Sequence, residues 1–123
     1  MEDILAKLSF EFATSVVLTC DEVKNRPVLK TQLIKSATSI GANIREANYG
    51  YSDADFLSKM QIALKESYES EYWLKLLVST MALTQERIAP LLKQCGSIRF
   101  KLIQSIKTVK ARLDTYDNIY KKR

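Results

Sequence analysis

Histidine is missing altogether from the 123 residues, and glycine and proline are scarce, at three and two. Without an imidazole there is no histidine-based general acid–base catalysis, no imidazole–metal centre and no histidine ligation of haem. The Glu-x-x-His motif of di-iron helix bundles is excluded for the same reason. Cys20 and Cys95 are the only cysteines and lack paired spacing; they cannot form a structural zinc site and read as two reduced core thiols. No glycine-rich phosphate loop or nucleophile elbow occurs. No catalytic residue, metal site or cofactor is therefore expected, and the chain reads as non-enzymatic. The start, Met1-Glu2-Asp3-Ile4, has no basic n-region and no long apolar run. Neither a signal peptide nor a membrane span is expected, which points to a cytoplasmic protein.

What is present fits one helical domain over residues 1–123. Hydrophobic residues make up 46% and charged residues 27%, a folded composition whose length suits a single core. So few chain breakers favour long helices and few turns. The net charge of +5 is unevenly spread: residues 1–86 hold nine basic and twelve acidic residues, residues 87–123 ten basic and two acidic. The basic character belongs to the last third, which points to an anionic partner there.

Breaks at Asn25-Arg26-Pro27, at Asn48 to Ser52 and, more softly, at Met81 to Gln85 leave four segments, about residues 2–24, 28–48, 53–82 and 85–120. Each carries apolar residues at steps of three and four, the mark of an amphipathic helix. The inward lines are Leu5, Leu8, Phe12, Val16, Thr19 and Val23; Leu29, Leu33, Ser36, Ile40, Ile44 and Ala47; and Phe56, Met60, Ala63, Ser67, Leu74, Leu77 and Met81. Ser52 and Thr84 are placed to cap the third and fourth segments. The fourth has the most regular line: Ile88, Leu92, Cys95, Arg99, Leu102, Ile106, Val109, Leu113, Tyr116 and Tyr120. That is the spacing of helices packed at a small crossing angle. Short connections make sequential helices antiparallel neighbours. The expected fold is all-α, an antiparallel up-down-up-down four-helix bundle.

Arg99 is the only charge on the fourth line. Glu71 lies between Ser67 and Leu74 on the inward face of the third segment. Both stand fourteen residues from Gln85, so an antiparallel hairpin brings them to one height. The register predicts an ion pair inside the bundle, since a lone buried charge is costly. The second segment carries a polar line, Gln32, Ser36, Ser39, Asn43 and Glu46, which predicts a polar seam between helices or subunits.

Some apolar surface is left over. Ala6, Phe10, Ala13 and Val17 form a second line on the first segment. Ile62, Trp73 and Leu76, interleaved with Glu66 and Glu69, lie on the far side of the third, and Phe100 falls outside the line of the fourth. One bundle helix needs one buried stripe, so Phe10, Val17, Ile62, Glu66, Glu69, Trp73, Leu76 and Phe100 are the expected contacts of a homo-oligomer.

The run Gln32-Leu33-Ile34-Lys35-Ser36-Ala37-Thr38-Ser39-Ile40-Gly41-Ala42-Asn43-Ile44-Arg45-Glu46-Ala47 resembles the pattern QL-x-[RK]-SATSIGANI-x-EA. The match continues through Ser52, Asp55 and Phe56, then from Ile62-Ala63-Leu64-Lys65-Glu66 to Glu69 and Tyr72-Trp73-Leu74. The family carrying this pattern is that of the four-helix-bundle proteins encoded in intervening sequences of bacterial large-subunit (23S) ribosomal RNA genes, and the resemblance spans roughly residues 8–115. It implies up-down-up-down bundles assembled as homopentamers around a central channel, with no known enzymatic activity. The family is distantly similar to the accessory protein of diversity-generating retroelements, which is basic and binds nucleic acid and a reverse transcriptase.

The function expected is that of a non-enzymatic oligomer binding structured RNA or other nucleic acid through Lys93, Lys101, Lys107, Lys110, Arg112, Lys121, Lys122 and Arg123. A helical projection scatters these cations, and no RNA-binding motif with stacking aromatics is present. The alternative is a protein-interaction scaffold that recruits a polymerase or mobile-element protein. No membrane partner is expected.

Overall fold

Asp3 begins the first helix by capping it: its carboxylate accepts the Leu5 N–H at 2.9 Å, satisfying a donor that a helix start leaves unpaired. In the computed structural model, which describes residues 3–120, four helices follow: α1 (Ile4–Cys20), α2 (Pro27–Asn48), α3 (Asp53–Ser79) and α4 (Gln85–Tyr120). No strand occurs among the described residues. Each helix packs on two others, in the ring order α1, α2, α3, α4, and among the described residues the backbones of neither diagonal pair approach closely. The core between them holds Phe12, Val16, Leu33, Ile40, Ile44, Met60, Leu74, Leu77, Ile88, Ile98 and Leu102. This is the layout of a four-helix bundle.

The helix ends depart from the expected boundaries for local reasons. The first helix stops at Cys20, four residues before its expected end. Glu22 and Val23 donate instead to the Thr19 and Cys20 carbonyls at 3.0 and 3.1 Å, and this tighter turn tucks the Val23 side chain into the core. Arg26 then takes a left-handed φ of 66°, an unfavourable conformation for a side-chain-bearing residue. Its guanidinium donates to the Thr80 carbonyl at 3.0 Å. Pro27 opens α2 at the position where its fixed φ suits a helix and its missing N–H costs nothing.

Ser52 caps α3, accepting the Asp55 N–H at 3.1 Å, and Asp53 and Asp55 add negative charge to the first turn, where the helix dipole favours it. The third helix ends at Ser79 and not at 82. Ala82 and Leu83 both donate back to the Leu77 carbonyl, with Met81 at φ 65°; this is a left-handed helix ending. Met81 was expected on the inward line and is instead 93% exposed, because a left-handed residue points off the helix face.

The buried line of α4 is Ile88, Leu91, Cys95, Ile98, Leu102, Ile106 and Val109. Leu91 and Ile98 take the positions expected for Leu92 and Arg99, which are half-buried one residue on. Tyr116 and Tyr120 were expected inside and are 55% and 61% exposed. The cause is length. Arg112 meets Asp53, the first residue of α3, so residues 113–120 run on past the bundle for about 12 Å at 1.5 Å per residue.

Candidate nucleic-acid interface on the fourth helix

Between Glu86 and Asp114, α4 carries seven cations and no carboxylate. Its arginines and lysines separate cleanly. Arg87 pairs with Glu22, its Nε donating at 2.9 Å. Arg112 makes a two-pronged contact with Asp53, at 2.9 and 3.0 Å. Hydrogen bonds from these arginines hold the Glu22 and Asp53 carboxyls below the usual carboxylate range and raise the two guanidinium groups in turn.

Arg99 is the most enclosed of the three, its side chain 16% exposed. Nη1 donates to Glu71 Oε1 at 3.0 Å. Nε donates to Ser67 Oγ at 3.3 Å and Nη2 to the Ser67 carbonyl at 3.1 Å. The guanidinium also lies 4.2 Å from the centroid of the Tyr68 ring, a favourable cation–π distance. Glu71 takes a second cation from Lys75 at 3.3 Å. Its carboxyl is held low, chiefly by the Arg99 hydrogen bond. Beneath this clasp the Cys95 thiol donates to the Ser67 carbonyl at 3.2 Å. Burial pushes that thiol up to about 11, so it stays protonated and is no nucleophile at neutral pH. Burial raises the Cys20 thiol as well.

The lysines behave differently. Lys93, Lys101, Lys107 and Lys110 make no ion pair among the described residues. Lys93 and Lys107 are exposed on one outward line with Phe100, at spacings of seven residues, and Phe100 is 61% exposed between them. Lys101 is half-buried and Lys110 exposed, and their positions turn them to either side of that line. Of the eight cations expected to form the interface, Arg112 is therefore engaged by Asp53. Lys121, Lys122 and Arg123 lie outside the described residues. Beside Lys93 a groove of about 460 Å³ opens between α1 and α4, lined by Leu8, Glu11, Pro90, Lys93, Gln94 and Ser97.

The polar line of α2 does not form one continuous seam. Ser36 is buried and accepts from Ser70 Oγ at 2.9 Å, linking α2 to α3. Asn43 turns back to Ser39, donating to its carbonyl at 2.8 Å and its hydroxyl at 3.0 Å. Gln32 and Glu46 are exposed, and Glu46 reaches Lys59 at 3.0 Å. Gln32, Lys35, Ser36, Ser39, Lys65, Glu66 and Glu69 line a polar hollow of about 270 Å³. Burial there, aided by the Glu69 carboxyl, raises the Glu66 carboxyl above its ordinary value.

The residues expected at subunit contacts divide. Phe10 is 62% exposed, with the Arg45 guanidinium 5.8 Å from its ring centroid. Val17, Ile62 and Glu69 are exposed too, whereas Glu66 and Leu76 are half-buried. Trp73 was expected on the surface. It is half-buried, packed against the bundle core and edge-on to Tyr72 at 4.9 Å. Sequence reasoning missed the Asp53–Arg112 and Glu22–Arg87 pairs, the Tyr68 platform and the line through Lys93, Phe100 and Lys107. The seven-residue spacing was the available signal for the last of these.

No group of three or more metal-ligating side chains occurs among the described residues, and no described helix is long and apolar enough to cross a membrane.

The chain matches the family model of the 23S rRNA-intervening sequence protein over residues 2–104. Among solved structures it is similar to a protein of unknown function from the S23 ribosomal protein family of Bacteroides thetaiotaomicron. The two are 41% identical with a TM-score of 0.81, over 85% of this chain and 99% of that one. No curated protein matches the chain.

Proposed function

For a chain that belongs to the 23S rRNA-intervening sequence protein family, we propose a non-enzymatic role in the cytoplasm: a homo-oligomer that binds structured RNA or other nucleic acid through α4 and the C-terminal tail. The observation that carries this reading is the set of four α4 lysines with no ion-pair partner among the described residues, on a helix stretch without carboxylates. Lysine contacts to phosphates fix position without reading sequence. A ring of copies multiplies a weak patch into useful avidity, and the proposed ring is a homopentamer. Exposed Phe10, Val17 and Ile62 support subunit contacts.

The helices run up-down-up-down in this reading. Three contacts between helix ends support it. The Asn48 amide, at the end of α2, donates to Asp3 at the start of α1. Glu22, just past α1, meets Arg87 in the first turn of α4. Asp53, opening α3, meets Arg112 late in α4. Within such a bundle Glu71 and Arg99 serve structure: they fix the register of α3 against α4 and take no part in binding.

The experiment is fluorescence anisotropy of a labelled structured RNA, titrated at rising salt. Binding that weakens by orders of magnitude between about 50 and about 200 mM salt supports the reading. Absence of binding at the lower salt rejects it. The second reading, a scaffold for a polymerase or mobile-element protein, is favoured by the exposed tyrosines at the α2–α3 turn, Tyr49 and Tyr51. Pull-down partners that survive nuclease treatment support the scaffold, and partners lost on treatment support nucleic-acid binding.

A further inference from the structure

The chain has three glycines, and the fold accounts for two. A Cβ at Gly41 would come within 3.1 Å of Ser9 Oγ, where α1 and α2 approach closely, and one at Gly50 within 3.1 Å of the Ala47 carbonyl. Gly96 is different. It sits well inside α4 and half-exposed, with no positive φ, and a Cβ there would meet nothing within 4 Å. Glycine inside a helix is less favourable than alanine, so nothing within the protomer explains the bare backbone at this point.

Its surroundings suggest what does. Phe100 lies one turn on. A helical side chain leans over the turn before its own Cα, which aims the Phe100 ring toward the turn holding Gly96; the ring stays more than 4 Å from where a Cβ at 96 would lie, so the gap between them is open. Lys93 and Lys107 stand seven residues to either side of Phe100, about 10 Å along the axis in each direction. The result is an exposed aromatic ring near bare backbone, midway in the chain between two lysines that make no ion pair among the described residues. A ligand that matches this has a flat ring joined to negative charge on both sides.

We infer that Gly96 and Phe100 form a stacking notch for one unpaired base of an RNA or DNA strand, with Lys93 and Lys107 holding the flanking phosphates. The inference rests on the nucleic-acid reading above and narrows its substrate to unpaired nucleotides, such as the loops and bulges of a structured RNA. Paired bases in a duplex do not present their faces to a protein, whereas an exposed aromatic ring stacks on any base that is splayed out. It also separates two roles on one helix: the lysines supply affinity for any polyanion, and the notch supplies preference for single strands.

The test is anisotropy with an unpaired oligonucleotide and a duplex of equal length, at one low salt concentration. The proteins are the full chain and three variants, Phe100→Ala, Phe100→Trp and Gly96→Leu. Circular dichroism and light scattering follow fold and mass throughout. Phe100→Ala is expected to weaken the unpaired strand by about tenfold or more, the scale of one lost base stack, and the duplex by less than about twofold. Phe100→Trp is expected to restore the affinity. Gly96→Leu is expected to mimic Phe100→Ala with helicity kept or raised, since a branched side chain at 96 occupies the open gap that the ring leans toward. Equal losses on strand and duplex, or none on either, overturn the notch while leaving lysine-driven binding in place. A change of assembly mass in Gly96→Leu overturns it by assigning this face to a contact between copies. No binding to either nucleic acid removes both the inference and the reading beneath it.

Discussion

The inner and outer sides of α4 treat positive charge in opposite ways. Toward α3 and the bundle ends, arginines are fixed: Arg87, Arg99 and Arg112 each hold a carboxylate from another part of the chain. Away from them, Lys93, Lys101, Lys107 and Lys110 hold none among the described residues. The residue types match the tasks. A guanidinium offers a planar fork of donors and is the weaker-hydrated cation, suited to multiple contacts in a half-buried place. An ammonium is a compact, well-hydrated charge that stays available to an external phosphate. Net charge alone cannot report this division; the partners do.

The largest expected effect breaks the inner side. Arg99→Ala leaves the half-buried Glu71 carboxylate with only the exposed Lys75 as a cation partner and removes both guanidinium donors to Ser67. Unfolding in urea should show a loss of about 2–4 kcal/mol, and a double-mutant cycle with Glu71→Gln should recover part of it as coupling. Neutralising the outer side is expected to do the converse. The fourfold change of Lys93, Lys101, Lys107 and Lys110 to Gln should leave stability within about 0.5 kcal/mol per site, as for most surface substitutions. The same variant should flatten the salt dependence of RNA binding by up to about three units of slope.

Gly96→Ala sharpens the contrast from the outer side. With open space where the Cβ goes, it should stabilise the protein by about 1 kcal/mol, the helix-propensity difference. A loss of stability would reveal a packing role for Gly96.

The smallest effect concerns pH and two glutamates of α3. Glu71 has its carboxyl lowered by Arg99. Its contribution is present above the ordinary glutamate value of 4.5 and is lost as pH falls through the lower folded value. Glu66 is raised by burial and Glu69, so the folded state holds its proton more tightly. Its contribution is present at low pH and is lost as pH rises from 4.5 through the raised value. Glu66→Gln should therefore stabilise the protein slightly at pH 7, by at most about 1 kcal/mol given its contact with solvent. Glu71→Gln should destabilise it. Urea midpoints at pH 4 and pH 7 for both variants would expose a wrong sign in either.

The four helices were legible because their apolar spacing is regular and three clusters of turn residues interrupt it. Glu71 and Arg99 were legible as a pair because both count fourteen residues from Gln85, and they touch at 3.0 Å. Helix ends were less legible. Val23 and Met81 continue their helical patterns in sequence, yet one is pulled under by a tight turn and the other is thrown outward by a left-handed φ. Tyr116 and Tyr120 keep the inward spacing with nothing left to face, since periodicity along one helix says nothing of where its neighbours begin. Asp53 and Arg112 are 59 residues apart. Only a three-dimensional register shows that Arg112 is already engaged.

The overhang of α4 beyond Arg112 gives the molecule a boundary of cooperativity. Two turns of helix beyond the last pairing with α3 are far below the length at which a helix holds itself in water. Residues 113–120 keep their shape only as a continuation of the packed helix behind them. In hydrogen exchange their amides should trade protons orders of magnitude faster than those of Leu102 or Ile106, opening in a local event uncoupled from global unfolding. Whatever slows that exchange when added to the protein has found the overhang, and the step in protection between Val109 and Tyr116 would measure how firmly it holds.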